Sequence, residues 1–289
     1  MLSDDDTRFK ISPLDARKGS NRLFFVHLVF YTLLTCILLG QAVMAQEDLS
    51  DPGQVKKAIE NINWITEEYP PFNYSDPETG ELTGAAVDVL AVIFAKLGIN
   101  KPIKDIKVYP WARGYHMVLN VPGTALFSTT YTHDRLQKMK FAGPVIPNIV
   151  AVIARKSEQF NIASVDDLNR LKISVVRDDI GEQLLIAAGV EATAIDQLNS
   201  GLSMVKKLAS GRVDAVAYAY AVTQSLFSQA GIDPDEFEII HVLKQSGMGY
   251  AFHDSTDPRI LEPIRKAIDE LTVSGELAEI LVKYGIEEP

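Results

Sequence analysis

Between Phe127 and Pro144 the chain reads Phe-Ser-Thr-Thr-Tyr-Thr-His-Asp-Arg-Leu-Gln-Lys-Met-Lys-Phe-Ala-Gly-Pro, with Arg135 five residues beyond Thr130. The apolar run Ala125-Leu126-Phe127 leads into this hydroxyl-rich turn. At the carboxyl end of a strand, such a turn presents an amide from Ser128, the Thr130 hydroxyl and the Arg135 guanidinium together. The planar guanidinium fork matches the two oxygens of a carboxylate. A solvated surface turn is the competing reading. A second stretch, Arg177-Asp178-Asp179-Ile180-Gly181, lies between a β-branched run and an apolar-periodic segment. The free amides of a helix start attract anions, but two aspartates repel an anion and suit an ammonium. Asp179 could also serve only as a helix cap. Aromatic side chains complete the set: Tyr69, Trp111 beside Arg113, Tyr218 and Tyr220. Their ring faces can pack on a solute or take a cation.

The elements that must position these residues alternate in type. Strands are expected at 63–66, 106–109, 125–127, 144–154, 173–176, 214–218, 238–242 and 249–252. Helices are expected at 54–60, 84–97, 112–120, 165–171, 182–188, 204–210, 223–229, 260–274 and 276–284, from apolar spacing and from stops such as Gly98 and Gly211. Residues 74–82 read as a hairpin tip, and Tyr69-Pro70-Pro71-Phe72 is held out of helix by its prolines. Repeated strand–helix units argue for an α/β fold with mostly parallel sheets. Two such runs, linked by apolar crossover segments near 144–150 and 245–250, suggest two lobes.

Several function classes are disfavoured. The net charge of −10 offers no basic stripe for phosphates, so no nucleic-acid partner is expected. The five histidines lack metal-ligand spacing, and neither a Gly-x-Ser-x-Gly elbow nor a phosphate-cradling glycine loop occurs. No metal or cofactor is expected. A cleft enzyme would need an acid and a base such as Glu68 and His133. At the N-terminus, five basic residues precede the apolar run 23–39, which is followed by Ala42-Val43-Met44-Ala45. This describes a secretory signal peptide cleaved after Ala45, the alternative being a membrane anchor over 23–39. The first 45 residues carry five basic and four acidic side chains, so cleavage takes the charge from −10 to −11. The single cysteine, Cys36, lies inside that apolar run, leaving a mature chain without thiol or disulfide, as suits an oxidising export compartment.

The Thr130–Arg135 turn, Tyr69-Pro70-Pro71-Phe72-Asn73-Tyr74, Gly211-Arg212-Val213-Asp214-Ala215-Val216 and the terminal Lys283-Tyr284-Gly285 together resemble the family 3 extracellular solute-binding proteins over residues 62–286. That family contains bacterial polar amino acid receptors and is related to the ligand-binding cores of ionotropic glutamate receptors. The resemblance implies a periplasmic-binding-protein-like II clamshell, with lobe one formed by 46–146 and 250–289 and lobe two by 147–249. It implies a non-enzymatic, monomeric periplasmic receptor that passes a small carboxylate-bearing solute to the membrane permease of an ABC importer. A sensor subunit and a dehydratase-like enzyme are the alternatives. Thr130 and Arg135 would grip the carboxylate, Tyr69 would pack on the solute, and Arg177 aligns with a position that contacts ligand in some relatives. One departure matters. Amino acid receptors of the family usually place an acid, which binds the α-ammonium, five residues after the Asp of Gly-Arg-Val-Asp-Ala-Val. Here that position is Ala219. The ammonium clamp is therefore lost or moved, with Asp178 or Asp179 as the candidates, and an acid lacking the amine becomes an equally plausible solute.

Overall fold

The computed structural model describes residues 49–286. The expected signal segment and its alternative as an anchor lie outside them. Among the described residues, no helix is long and apolar enough to cross a membrane.

The chain opens with α1 (Pro52–Asn61), β1 (Asn63–Thr66), the small hairpin β2 (Tyr74–Ser75) and β3 (Leu82–Thr83), and α2 (Ala85–Leu97). It continues through β4 (Lys107–Val108), α3 (Trp111–Asn120), β5 (Thr124–Thr130), α4 (His133–Lys138) and the long β6 (Met139–Arg155). Next come α5 (Val165–Asn169), β7 (Ile173–Val176), α6 (Ile180–Ala188), β8 (Ile195–Leu198), α7 (Gly201–Ala209), β9 (Ala215–Ala219) and α8 (Tyr220–Gln229). A second long strand, β10 (Phe237–His253), precedes α9 (Pro258–Ser274) and α10 (Glu276–Lys283).

Eight strands form one sheet in the order β4-β1-β5-β10-β6-β9-β7-β8. On one side β4, β1 and β5 are parallel, and on the other β9, β7 and β8 are parallel. Every residue of β5, β7 and β9 is buried, as expected of strands covered by helices on both faces. β6 and β10 pair antiparallel along their whole length and join the two lobes. Near its carboxyl end β10 pairs with β5 from Met248 to Phe252, while β6 pairs with β9 from Val150 to Ala154. This is the two-lobed α/β clamshell with two crossover strands.

Three local expectations are corrected. Residues 238–242 and 249–252 are parts of the single strand β10. The polar stretch Lys244-Gln245-Ser246-Gly247 reads as a break but stays paired with Pro147–Val150, and register shifts absorb the irregularity. The turn carrying Arg135 is helical: Thr132 caps α4 by accepting the Arg135 amide at 3.1 Å. β8 was not expected, because its Ile-Asp-Gln-Leu pattern lacks a continuous apolar signal.

One glycine brings the two lobe-two site segments together. A Cβ added at Gly181 would sit 2.0 Å from the Ala217 carbonyl oxygen. The start of α6 can therefore lie against the end of β9 only without a side chain there, which sets Asp179 near Tyr218. Gly181→Ala is expected to force these elements apart and cost about 1–3 kcal/mol, lowering the melting temperature by several degrees. An unchanged melting temperature would show that the contact does not constrain the lobe.

Candidate functional site

The carboxyl ends of the parallel strands face one another across the two crossover strands, the position at which open α/β sheets hold ligands. Arg135, fully buried, projects from the first turn of α4. Its Nη1 donates to the Thr130 carbonyl at 3.3 Å and its Nε donates to Gln183 Oε1 at 3.1 Å. The guanidinium carbon lies 5.1 Å from the Trp111 ring and 5.2 Å from the Tyr115 ring, and those two rings stack at 5.4 Å. Nη2 is buried without a partner. Thr130 Oγ1 accepts from Asn148 Nδ2 at 3.0 Å, so its own hydrogen is free to be donated elsewhere. Ser128, at a left-handed φ of 61°, is tied to Asn73 through its hydroxyl.

Across the cleft, Asp178 also adopts a left-handed φ, of 59°. Its amide donates to Glu182 at 2.5 Å and its carbonyl accepts from Trp111 Nε1 at 2.8 Å and Gln183 Nε2 at 2.6 Å. The Asp178 side chain is exposed. Asp179 turns inward, is 3% exposed and leaves Oδ2 unpartnered. It occupies the N-cap of α6 without a side-chain capping bond. Burial pushes its carboxyl up to about 6, against the pull of Arg135 and of the Ile180 and Gly181 amides. Ile180 is buried beside it. Left-handed backbone at non-glycine residues costs about 1–3 kcal/mol each and gathers at functional sites; here one such residue lies on each side of the cleft.

Tyr69 and Tyr218, both buried, meet edge to face at 5.3 Å. Burial is the first cause that raises both phenols well above their usual range, with the nearby acids adding to it. Contacts across the cleft include Trp111 to Asp178, Arg135 to Gln183, and Tyr69 to Tyr218. Arg113 and Arg177 are exposed and stand outside this buried set. Arg113 lies over the Tyr109 ring at 4.1 Å, and Arg177 engages Leu198 through its amide. The acid and base considered for a cleft enzyme are not brought together. Glu68 takes the Ser75 amide and hydroxyl at 2.9 and 2.5 Å, while the His133 ring bonds Gln137. Among the described residues, no cluster of His, Cys, Asp or Glu could hold a metal ion.

Sequence reasoning passed over five residues of this cluster. Glu67, 5% exposed, lies at the end of β1; burial, then Asp179, holds its carboxyl well above the usual range. Tyr115 follows Trp111 by one helical turn and Gln183 follows Asp179 by one, a spacing that puts each pair on one helix face. Glu182 holds the Asp178 amide. Asn148 is the lone amide in an apolar crossover strand, which was a visible signal.

Beside this cluster lies a cavity of about 760 Å3, lined from both lobes. Trp111 and Tyr218 belong to both places: they line the cavity, while Trp111 also lies against Arg135 and Tyr218 against Tyr69.

Known proteins match this chain over most of its described residues. A probable amino-acid ABC transporter-binding protein of Haemophilus influenzae is 28% identical over 192 residues, covering 63% of this chain and 70% of that protein. The L-cystine-binding protein TcyJ of Escherichia coli strain K12 is 21% identical over 255 residues, covering 84% and 90%. Among solved structures, an ancestral arginine-binding protein bound to glutamine superimposes with a TM-score of 0.64 at 26% identity, covering 78% of this chain and 99% of that one. A histidine kinase sensor domain similar to periplasmic binding proteins gives 0.69 at 19% identity, covering 79% and 98%, and shares the fold. With residues 62–287 matching their family description, this chain belongs to the bacterial extracellular solute-binding proteins, family 3.

Proposed function

We propose that this solute-binding protein captures a zwitterionic solute between its lobes, with the solute carboxylate on Arg135 and Thr130 and its ammonium on Asp179. One observation carries the reading. The Arg135 guanidinium keeps an unpartnered N–H and Asp179 keeps an unpartnered oxygen, both buried, in facing lobes. Buried ionised groups are costly unless paired, and a guanidinium does not shed its proton. A molecule carrying one charge of each sign offsets both costs at once. Asp179 then does the work of the acid that relatives place at the position of Ala219, which explains how an ammonium can be held without it. The Thr130 hydroxyl, already accepting from Asn148, has its hydrogen for the carboxylate.

The lobes in this reading are 46–146 with 250–289, and 147–249, closing as rigid bodies about β6 and β10. The protein is exported, acts as a monomer and delivers its solute to the membrane permease of an ABC importer. The amino-acid ABC transporter-binding relative supports that partner. It binds without turnover; the separation of Glu68 from His133 supports this.

Two outcomes are expected. Arg135→Ala should weaken binding of the preferred amino acid by about 2–5 kcal/mol in calorimetric titration, the range for stranding one partner of a buried charged pair. Unchanged affinity would remove Arg135 from the site. The second outcome concerns pH. Folded Asp179 keeps its proton up to about 6, whereas an ordinary aspartate loses it near 3.8. Between those values the folded state binds more protons than the unfolded state, so this residue's contribution falls as pH rises. Its loss is at most about 3 kcal/mol. Solute-free Asp179→Asn should therefore gain melting temperature relative to wild type on going from pH 4 to 7. A constant difference across that range would contradict the assignment.

A further inference from the structure

The buried ionisable groups around the cleft are uneven in sign. Arg135 is one basic group, whereas Glu182, Asp179 and Glu67 are three acidic ones, all at 5% exposure or less, and of these Glu182 is already held by the Asp178 amide and the Gln197 side chain. A zwitterion adds one charge of each sign and leaves the imbalance in place. Glu67 is also placed differently from Asp179. It lines the 760 Å3 cavity, and no described side chain or amide bonds its carboxylate; only its backbone carbonyl is used, accepting from Asn73 Nδ2 at 2.8 Å. The neighbouring Glu68 is already engaged by Ser75. No lysine, arginine or histidine lines the cavity. Arg135 is the cation whose field reaches Glu67, without a hydrogen bond to it, and Arg113 is exposed and lies on Tyr109. Apolar and aromatic walls, including Trp111 and Tyr218, can pack along an alkyl stem. The volume is within the range that encloses drug-sized molecules, more than a short side chain needs.

Building on the head-group placement above, we propose that the solute carries a second cationic group on an extended tail, which enters this cavity and pairs with Glu67. The solute class is thus one carboxylate with two cationic centres, net charge +1. Bound there, the tail cation lets Glu67 stay ionised. Burial and the Asp179 charge otherwise favour the protonated carboxyl.

The test uses L-arginine, L-citrulline and L-cystine with the protein from residue 46 onward, by calorimetric titration. Citrulline has nearly the shape of arginine, with a neutral urea replacing the guanidinium. Wild type is expected to bind arginine at least ~10-fold more tightly than citrulline, as suits a hydrogen-bonded buried charge. Glu67→Gln should bring the two within about threefold, and Glu67→Asp should give a reduced preference should the glutamine variant fail to fold. Citrulline binding as tightly as arginine overturns the proposal. So does cystine binding without arginine binding, or no arginine binding at millimolar concentration. Arg135→Ala separates the two levels. If it abolishes binding of arginine and citrulline alike while wild type does not discriminate between them, the head-group reading stands and only the tail cation is lost. If it leaves both affinities unchanged, the head-group reading falls as well.

Discussion

A guanidinium buried between two lobes with an unused N–H is the constraint on which the rest of the site depends. Arg135 cannot neutralise itself, so the fold either supplies acceptors or leaves room for an anion to do so. The sequence around it supplies part of the solution. The cap at Thr132 starts α4 early enough to aim Arg135 back at the Thr130 carbonyl, and Trp111 with Tyr115 covers its faces. Gln183 gives a neutral acceptor from the other lobe. None of these carries a negative charge, and the nearby carboxyl of Asp179 makes no hydrogen bond to it.

The same accounting explains why closure can depend on the solute. Away from the crossover strands, the contacts across the cleft include one indole-to-carbonyl bond, one guanidinium-to-amide bond and one aromatic pair. Such contacts contribute about 0.5–3 kcal/mol each. Against them stand the unpartnered atoms of Arg135 and Asp179, which closing removes from water. The opposing terms are of similar size, so a ligand that interacts only with the closed arrangement can shift the balance. β6 and β10 are suited to carry that motion. Their pairing is continuous but slips register at three places along β10, and irregular pairing bends a strand locally. Asn148, on β6, reaches Thr130 directly, so the crossover strand is in contact with the turn that carries Arg135.

Much of this was legible in the sequence because parallel strands are buried on both faces and helices show their period. The two α/β runs, the crossover segments and the pairing of Thr130 with Arg135 followed from that pattern and from the family resemblance. Asp179 was visible as an acid at a helix start, though the sequence could not separate it from Asp178. The left-handed backbone at Asp178 decides between them by turning its side chain to solvent and the next one inward. Glu67 was hidden because an acid following an apolar strand resembles any strand end facing water; only the packing of two lobes over it makes it unusual. Gln183 and Glu182 were hidden for a related reason, since polar residues in the first turn of a helix are common. The continuity of β10 was obscured by Lys244-Gln245-Ser246-Gly247, polar in composition yet paired residue for residue with β6.

The central claim is that the site holds both ends of a zwitterion, one on each lobe. It is tested most directly by thermal unfolding of residues 46–289 against matched trios: an α-amino acid, the same molecule without its amine, and the same molecule without its carboxylate. A ligand at about 100 times its dissociation constant adds about 2.7 kcal/mol to stability, a rise of roughly 5–10 °C for a chain of this size. The account predicts a rise with the intact zwitterion and little with either truncated partner. An equal rise with the acid lacking the amine would contradict it, removing Asp179 from the site and leaving Ala219 as the mark of a receptor for simple carboxylates.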